Sequence, residues 1–319
     1  MRRLLVSIAV LAVLGAAGAC SATTAPVAID ASTPLDAPTH PGAGNGGGTL
    51  DELRFAVVGD TRPVNLDDTA NYPTAIIRQI WTDVEAEVPH AAFAVSTGDY
   101  IFASTGGHEQ DPQLDLYLAA RMAFHGVVYA AMGNHECNGY TSSNCGPGNS
   151  EGQPANFVSF MAKLVAPLDE PLPYFVERFA AADRSWSAKL VVIAANAWDP
   201  AQDAWLERAL SEPSTYTFVL RHEGHDATTA PGTLPSTIIL ARHAVTLLIV
   251  GHTHAYRHYA AYREIVVGNG GAPLTSSTNY GYVIVARNPD GTIGVTSREY
   301  MTHALVEQFT VKPDGMPAP

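Results

Sequence analysis

Apolar residues along this chain of 319 residues fall into two kinds of pattern. The first is a set of five short, nearly continuous runs rich in Val, Ala, Ile or Phe. Short apolar runs of this length, closed by Gly or a charged residue, are buried strands more often than helices. The sequence therefore predicts strands over 55–58, 91–95, 127–132, 216–220 and 245–250.

The second pattern places an apolar residue at every third or fourth position, the spacing of one helical face. It predicts four helices, and Pro73 stands at the N-terminal turn of the first. Their apolar positions are Ile76, Ile77, Ile80, Trp81, Val84 and Val88; Leu114, Leu118 and Met122; Phe157, Phe160, Met161, Leu164 and Val165; and Trp205, Leu206 and Leu210 within 201–210.

The last third of the chain is rich in strand patterns, over 262–267, 281–286, 292–297 and 305–311. The segment Asn288-Pro289-Asp290-Gly291 predicts a hairpin turn between the second and third of these strands. Strands and helices alternate before this region. The order of elements therefore predicts an α/β domain with an antiparallel portion at its end.

Polar side chains follow each of the five predicted strands. Ligands of α/β proteins bind at the carboxyl ends of the strands, so we expect these side chains to meet at one rim. Hard oxygens and imidazoles together suit Zn, Mn or Fe. A single Asp after a strand is often only a helix cap, and the hypothesis therefore depends on the whole set. Its members are Asp60, Asp99, Asn134, His135, His222, His252 and His254.

The segment Asn134-His135-Glu136 is the sharpest of these motifs. Asn offers a neutral carbonyl oxygen, and His can serve as an acid or a base near neutral pH. We expect Glu136 to orient the imidazole of His135. Other histidines, such as His90 and His258, are expected to be packed residues without a role in the chemistry.

Composition and charge narrow the function classes. The chain is 46% hydrophobic and 15% charged, so it can bury a sizeable core. Its formal net charge of −13 repels phosphate backbones at long range, which argues against nucleic acid as a partner. A small phosphorylated substrate stays compatible with this charge, because bound metal ions reverse it locally.

The N-terminal residues read as an export signal. Arg2 and Arg3 precede an apolar run and a small-residue zone, Ala16-Ala17-Gly18-Ala19, so we expect a signal peptide over residues 1–19. Gly18-Ala19-Cys20 resembles a bacterial lipobox, with Ala17 where Leu is usual. We therefore expect an envelope lipoprotein, periplasmic or on the outer surface, whose only membrane contact is a lipid on Cys20. Simple secretion is the alternative.

The next segment, residues 20–50, is dominated by Ala, Thr, Pro, Asp and Gly and predicts a flexible tether. One folded domain is then expected over 51–319. The three cysteines are an odd number for an exported protein. If Cys20 is acylated, Cys137 and Cys145 remain, and we expect them to form a disulfide in an oxidising compartment.

The order and spacing of the five motifs resembles the calcineurin-like metallophosphoesterase superfamily over about residues 54 to 270. The specific segments are Gly133-Asn134-His135-Glu136 and Gly251-His252-Thr253-His254, supported by Gln202 to Glu207. Residues 251–256 and 267–273 are similar to purple acid phosphatase-type members. The resemblance implies a four-layer α-β-β-α sandwich and metal-dependent hydrolysis of a phosphate monoester or diester by a metal-bound hydroxide.

The resemblance also implies residue roles. Asp99 would bridge two divalent or trivalent metal ions, Zn, Mn or Fe. Asn134, His222 and His252 would complete the second metal site, and Asp60 and His254 would serve the first. His135 would protonate the leaving group or steer the phosphate, with Glu136 behind it.

Arg62 departs from the family pattern, in which the first motif is usually Asp-x-His. A guanidinium has no lone pair to give a metal. The first metal site could therefore be weak, use extra water, or borrow another histidine such as His225. Arg62 could instead bind the substrate phosphate in bidentate fashion or simply pair with a nearby carboxylate. We therefore count it among the catalytic candidates.

Phe102 is the second departure. Purple acid phosphatases carry a Tyr three residues after the bridging Asp, and the Phe here has no oxygen. We therefore expect no iron–tyrosinate chemistry. Two further hypotheses stay open: a binding lipoprotein that kept the fold but lost turnover through Arg62, and a nuclease, which the acidic surface and the presence of only three Lys disfavour.

Overall fold

The computed structural model describes residues 44–106, 108–138, 144–146, 153–228, 230–275 and 279–318. Contacts divide the chain into two units, residues 1–35 and 36–319, and all described residues belong to the second. The predicted signal peptide, Cys20 and most of the predicted tether lie outside the described residues. No helix in the described part of the chain has the length and apolar character needed to cross a bilayer.

Thirteen strands of the described residues form two sheets. The strands are β1 Gly47–Leu50, β2 Arg54–Val58, β3 Phe93–Ser96, β4 Val128–Ala130, β5 Phe175–Ala181, β6 Ser187–Val192, β7 Tyr216–Leu220, β8 Leu247–Val250, β9 Tyr256–Tyr259, β10 Glu264–Val267, β11 Gly281–Arg287, β12 Ile293–Glu299 and β13 Leu305–Val311.

One sheet has seven strands in the order β1-β5-β6-β7-β8-β10-β9, and the other has six in the order β13-β12-β11-β2-β3-β4. Strands β2, β3 and β4 are parallel, as are β6, β7 and β8. The aromatic core joins the sheets: the Phe93 and Phe179 rings stack at 4.4 Å, and Phe55 meets Phe218 edge to face at 5.0 Å. The two sheets therefore pack face to face.

Helices cover the outer faces of both sheets. Apolar residues of α4 and α5, including Leu206 and Ile239, pack in one cluster with Val219 and Val250 of the seven-stranded sheet. Helix α2 contacts both α1 and α3, and α1 contacts β11 of the six-stranded sheet. The bounds are α1 Thr74–Glu85, α2 Gln110–Arg121, α3 Ala155–Phe160, α4 Pro200–Ser211 and α5 Thr233–Leu240, and α3 continues as a π-helical turn over Met161–Val165.

The local sequence explains where these elements begin and end. Asp199 caps α4, because its carboxylate accepts a hydrogen bond from Gln202 N at 2.7 Å, and Pro200 occupies the first helical position. The hairpin between β11 and β12 closes where Asn288 N–H donates to the Thr292 carbonyl at 2.8 Å. The predicted four-layer α-β-β-α sandwich with an antiparallel end is confirmed.

Some sequence predictions need correction. Residues 47–50, assigned to the tether, form β1 and pair in parallel with β5, so the folded domain begins before residue 51. Val88 and Met122, placed on helical faces, are 89% and 71% exposed, because each lies just beyond the end of its helix. The strands β5, β6 and β9 and the helix α5 were not predicted.

Candidate metal centre

Three candidate metal ligands have a left-handed backbone conformation. Asp60 (φ 56°), Asp99 (φ 57°) and His252 (φ 67°) each lie just beyond a parallel strand, β2, β3 or β8. Such a conformation costs a non-glycine residue about 1–3 kcal/mol and persists only where the surroundings enforce it. Here backbone hydrogen bonds do so: Asp60 N–H donates to Gly98 O at 3.1 Å and Thr61 N–H to Asp99 O at 3.0 Å.

Gly98 allows these loops to meet. Its φ is 105°, and a Cβ at this position would lie 2.7 Å from Gly133 N and 2.8 Å from His222 Nδ1. Any larger residue would separate the loop that carries Asp99 from those that carry Asn134 and His222. The close approach of three strand ends therefore depends on this glycine.

Four candidate ligands converge on one point. His222 Nε2 lies 3.2 Å from Asn134 Oδ1 and 3.2 Å from Asp99 Oδ1. His252 Nδ1 lies 3.0 Å from Asn134 Oδ1 and 3.3 Å from His222 Nε2. Bonds of about 2.0–2.2 Å to one ion place its ligand atoms about 3 Å apart. Neighbouring ligand atoms in this cluster therefore have the spacing expected of ligands on one metal ion.

Backbone carbonyls fix the tautomers of two imidazoles. His222 Nδ1 faces Thr97 O at 2.8 Å, and His254 Nδ1 faces Pro273 O at 2.8 Å. A carbonyl can only accept, so each Nδ1 carries a proton, and each Nε2 keeps its lone pair when its imidazole is neutral. Both Nε2 atoms face the candidate metal centre, which is the arrangement that metal-ligating histidines commonly show.

A second group shares Asp99 with the first. Ligand atoms of Asp60, Asp99 and His254 lie within 4.8 Å of one another, and all three residues are buried. His254 Nε2 is 3.6 Å from Asp60 Oδ1, and His252 N–H donates to both Asp60 oxygens at 3.1 Å. This group offers three protein ligands, one fewer than the group around Asn134.

The charges and acceptors at this centre favour binding of a cation. Burial by itself would raise the pKa of Asp99, but the facing His222 and His135 hold it well below its usual range. Burial would lower the pKa of His222, but Asp99 raises it well above normal. Around His222 Nε2 lie the acceptors Asn134 Oδ1 and Asp99 Oδ1, and also His252 Nδ1, which is an acceptor in the tautomer protonated on Nε2. Only a proton or a metal ion makes such a cluster favourable, so the residues present fit a metal.

Arg62 lies at the edge of this centre. Its Nε is 3.8 Å from Asp99 Oδ2, its Nη1 donates to Pro63 O at 3.0 Å, and its Cζ lies 4.7 Å from the Phe102 ring centroid. The Nε atom is buried and has no hydrogen-bond partner among the described residues. The guanidinium therefore faces the Asp99 carboxylate while keeping a nitrogen without a partner among the described residues.

His135 approaches the same carboxylate oxygen. Its Nε2 is 3.8 Å from Asp99 Oδ2, and its Nδ1 is buried without a partner in the described ranges. Burial lowers the pKa of His135 to about 4, against the attraction of Asp99, so the imidazole is neutral at pH 7. A neutral imidazole retains one N–H donor for a ligand.

Glu136 does not orient the imidazole of His135, and that prediction is wrong. Its carboxylate accepts backbone N–H groups instead: Asp99 and Gly133 at 2.8 Å on Oε2, and Tyr100 at 2.8 Å and Ile101 at 3.3 Å on Oε1. The side chain is fully buried. Glu136 therefore fixes the backbone of the loop that carries Asp99 rather than the acid–base group.

His225 is not part of either ligand group. Its Nδ1 and backbone N–H both contact the Glu264 carboxylate at 2.8 Å, and its ring stacks on Tyr262 at 3.6 Å. The suggestion that His225 completes the first metal site is therefore not supported by its position. All other site residues predicted from the sequence are brought together at the rim.

Several contributors escaped sequence analysis. Thr97 and Pro273 act through their carbonyls, which carry no side-chain signal. Asn156 Nδ2 donates to Ala103 O at 2.9 Å and His135 O at 3.2 Å and so fixes the loops on both sides of the centre. Only its polar character within an apolar helical face could have drawn attention to it.

Cys137 and Cys145 are both buried and contact each other. Burial raises the pKa of the Cys145 thiol far above its ordinary value, and the neighbouring Cys137 adds to the shift. Cys145 N–H donates to Asn196 O at 2.9 Å, whereas Cys137 N–H donates to Asn134 O at 3.1 Å. The pair thus links the Asn134 turn to the segment before α4.

Comparison with known families gives one match. A family model described as calcineurin-like phosphoesterase matches residues 53–256, more than half of the chain. The matched range contains all nine site residues that the sequence predicted. No curated protein sequence matches the chain significantly.

Comparison with solved structures shows a similar fold. A purple acid phosphatase from yellow lupin (Lupinus luteus) seeds is 17% identical with a TM-score of 0.53, covering 82% of this chain and 54% of that one. The chain thus spans about half the length of the lupin protein. A 5'-nucleotidase from Candida albicans is 12% identical with a TM-score of 0.44, covering 82% of this chain and 52% of that one. A predicted phosphoesterase from Streptococcus pneumoniae is 12% identical with a TM-score of 0.36, covering 82% of this chain and 99% of that one.

Proposed function

We propose, since this chain belongs to the calcineurin-like phosphoesterase family, that it hydrolyses small phosphate esters at the centre around Asp99. Its class follows from that membership: it is a phosphoric ester hydrolase that depends on bound metal ions. The finer proposal is that two ions bind, one held by Asp99, Asn134, His222 and His252, and the other by Asp60, Asp99 and His254.

The observation that carries this proposal is the shared position of Asp99. One of its oxygens is 3.2 Å from His222 Nε2, and the same carboxylate belongs to the group with Asp60 and His254. A carboxylate between two ligand groups is suited to hold two ions side by side. Zn, Mn and Fe all fit a set of carboxylates, imidazoles and one amide oxygen.

Metal ions at these positions would polarise the phosphoryl oxygens and lower the pKa of a bound water. The chain's own residues supply positioning. Arg62 and His135 each lie 3.8 Å from Asp99 Oδ2, and each has a nitrogen without a hydrogen-bond partner among the described residues, so we propose that both bind phosphoryl oxygens. Because the His135 imidazole is neutral, its first contribution is to orient the phosphate by a hydrogen bond.

The experiment assays purified protein with nitrophenyl phosphate and with bis(nitrophenyl) phosphate, each without added metal and with Zn, Mn or Fe. Elemental analysis of the same protein gives its metal content. We expect hydrolysis of at least one ester, its loss on chelation, and its return with metal. A protein that binds metal fully yet hydrolyses neither ester would contradict the proposal and favour a binding protein that has lost turnover.

We also propose that the protein is exported and held at the bacterial envelope by a lipid on Cys20, with secretion as the alternative. The basic, apolar and small-residue segments of residues 1–19 support this proposal. The intact mass of membrane-extracted protein shows whether Cys20 carries a lipid. A soluble mature chain with an unmodified Cys20 would contradict the anchor.

A disulfide between Cys137 and Cys145 is proposed for the same oxidising compartment. Their contact and burial support it. Mass measurement after alkylation, with and without reduction, should show no accessible thiol before reduction and two afterwards. Alkylation of both residues in the unreduced, denatured protein would refute it.

A further inference from the structure

Phe102 lies between the two groups that we assign to phosphate binding. The Arg62 guanidinium carbon is 4.7 Å from its ring centroid, and the His135 ring meets it edge to face with centroids 4.7 Å apart and planes at 86°. Both neighbours are 3.8 Å from the same oxygen, Asp99 Oδ2. One aromatic ring therefore contacts both sides of the phosphate-binding pair.

The backbone of Phe102 is itself fixed. Its N–H donates to Gln113 Oε1 at 2.7 Å, and its carbonyl accepts from Gln113 Nε2 at 3.2 Å. Gln113 is fully buried in α2, and Asn156 holds the next carbonyl, that of Ala103. The ring is thus attached to two helices rather than to a loose loop, so its position is determined independently of Arg62 and His135.

Arg62 has little else to hold it. Apart from its hydrogen bond to Pro63 O, the described residues give its guanidinium only the long ion pair to Asp99 and the Phe102 ring. A long side chain with one hydrogen bond loses considerable rotamer freedom when it binds a ligand. A cation–π contact in a partly buried site reduces that loss by placing the guanidinium before the ligand arrives.

We propose that Phe102 is a positioning residue, which holds Arg62 and His135 at matching distances from Asp99 so that both contact one phosphoryl group. This inference rests on the proposed function for its substrate, but its central measurement does not need turnover. The ring contributes through its contacts with Arg62 and His135.

The test compares metal-loaded wild type with Phe102→Leu and Phe102→Tyr by calorimetric titration with inorganic phosphate. Phe102→Leu removes the aromatic face and should weaken phosphate binding by about 3- to 30-fold, the range of a lost cation–π contact. Phe102→Tyr keeps the ring and should bind within about threefold of wild type. Metal content should be the same in all three proteins.

Phe309→Leu is a matched control, because Phe309 is also half-buried and stacks on a histidine, His258, at 3.6 Å, but on β13. It should leave phosphate binding unchanged. For a turnover readout, Phe102→Leu should raise KM for nitrophenyl phosphate by the same factor as the phosphate dissociation constant.

The positioning role would be overturned if Phe102→Leu binds phosphate within twofold of the wild-type affinity. It would also be overturned if Phe102→Tyr weakens phosphate binding as much as Phe102→Leu does. If Phe102→Leu misfolds, Gln113→Leu takes its place, because it releases the backbone of Phe102 and leaves the ring. It should also weaken phosphate binding relative to wild type. A wild-type protein that binds phosphate in this pattern but hydrolyses no ester would contradict the proposed function alone.

Discussion

The imidazoles of His222 and His252 meet nitrogen to nitrogen, with His252 Nδ1 3.3 Å from His222 Nε2. Because Thr97 O holds a proton of His222 on Nδ1, the nitrogen that faces His252 carries a lone pair whenever the imidazole is neutral. The Asn134 carbonyl oxygen, 3.0 Å from His252 Nδ1, is an acceptor as well. A metal ion resolves this contact by accepting electron pairs from all three atoms.

The first prediction tests these ligands. His252→Ala and Asn134→Ala should each lower metal occupancy and reduce hydrolysis by about 10²-fold or more, the size of a lost electrostatic contribution to the transition state. His125→Ala, whose side chain is 80% exposed and pairs with Glu85, is the control and should resemble wild type. Turnover near the wild-type rate in both ligand variants at saturating metal would exclude this centre.

The second prediction concerns Glu136 as a support for the Asp99 loop. In Glu136→Gln one oxygen becomes an amide donor that faces backbone N–H groups, which should lower the free energy of unfolding by about 2 kcal/mol or more. Denaturant titration measures it. The control Glu212→Gln removes a half-exposed ion pair with Arg178 and should cost less than about 1 kcal/mol.

If Glu136 instead acts on the imidazole of His135, Glu136→Gln should keep its stability and change only the pH dependence of hydrolysis. Equal unfolding free energies for Glu136→Gln and wild type would therefore contradict the support role that the four backbone contacts indicate.

The convergence of the candidate residues could be predicted from the sequence because its signal is local. Asp60 and Asp99 directly follow buried parallel strands, and such strand ends meet at one edge whatever the rest of the fold does. The role of Glu136 was not predictable in this way. Three of its four partners are backbone N–H groups of a loop more than thirty residues away, and backbone groups leave no trace in a residue pattern.

The strand β1 was missed for a different reason. Its glycines suggest a flexible chain, but Gly47 adopts φ 86° where a Cβ would lie 2.7 Å from Arg178 N. The glycine is needed for close pairing with β5 rather than for flexibility. Composition alone does not distinguish a glycine that gives flexibility from one that allows close strand pairing. The distinction depends on the strand that packs beside it.

The third prediction concerns pH and a buried acid outside the metal centre. Both carboxylate oxygens of Glu177 on β5 are buried without a hydrogen-bond partner in the described part of the chain. Burial, with a smaller effect of Glu170, raises the pKa of Glu177 from 4.5 to about 9. The folded protein therefore keeps this proton up to about pH 9, whereas the unfolded chain loses it above pH 4.5.

Since the unfolded state binds fewer protons in that window, Glu177 lowers stability as pH rises from about 4.5 towards 9. Glu177→Gln cannot ionise, so its stability relative to wild type should increase by about 1–3 kcal/mol between pH 5 and pH 8. Denaturant titrations at both values measure the change, with Glu212→Gln as the control. A difference that does not vary with pH would show that Glu177 is ionised in the folded protein.

The last prediction separates the two roles that remain for Arg62. The group of Asp60, Asp99 and His254 has three protein ligands, whereas four converge around His222, so the first ion should bind more weakly than the second. Arg62→His offers a further imidazole near Asp99 and should raise metal occupancy towards two per chain. Arg62→Gln, which offers neither charge nor imidazole, is the matched comparison.

If Arg62 binds phosphate as we propose, both variants should also weaken binding of inorganic phosphate and raise KM by about tenfold, the effect of a lost charge-assisted contact. Calorimetric titrations with metal and with phosphate measure the two effects separately. Unchanged phosphate affinity in both variants would leave Arg62 only its ion pair with Asp99. Full two-metal occupancy of the wild type at low micromolar metal would contradict the weak first site, because its three protein ligands would then suffice without another imidazole.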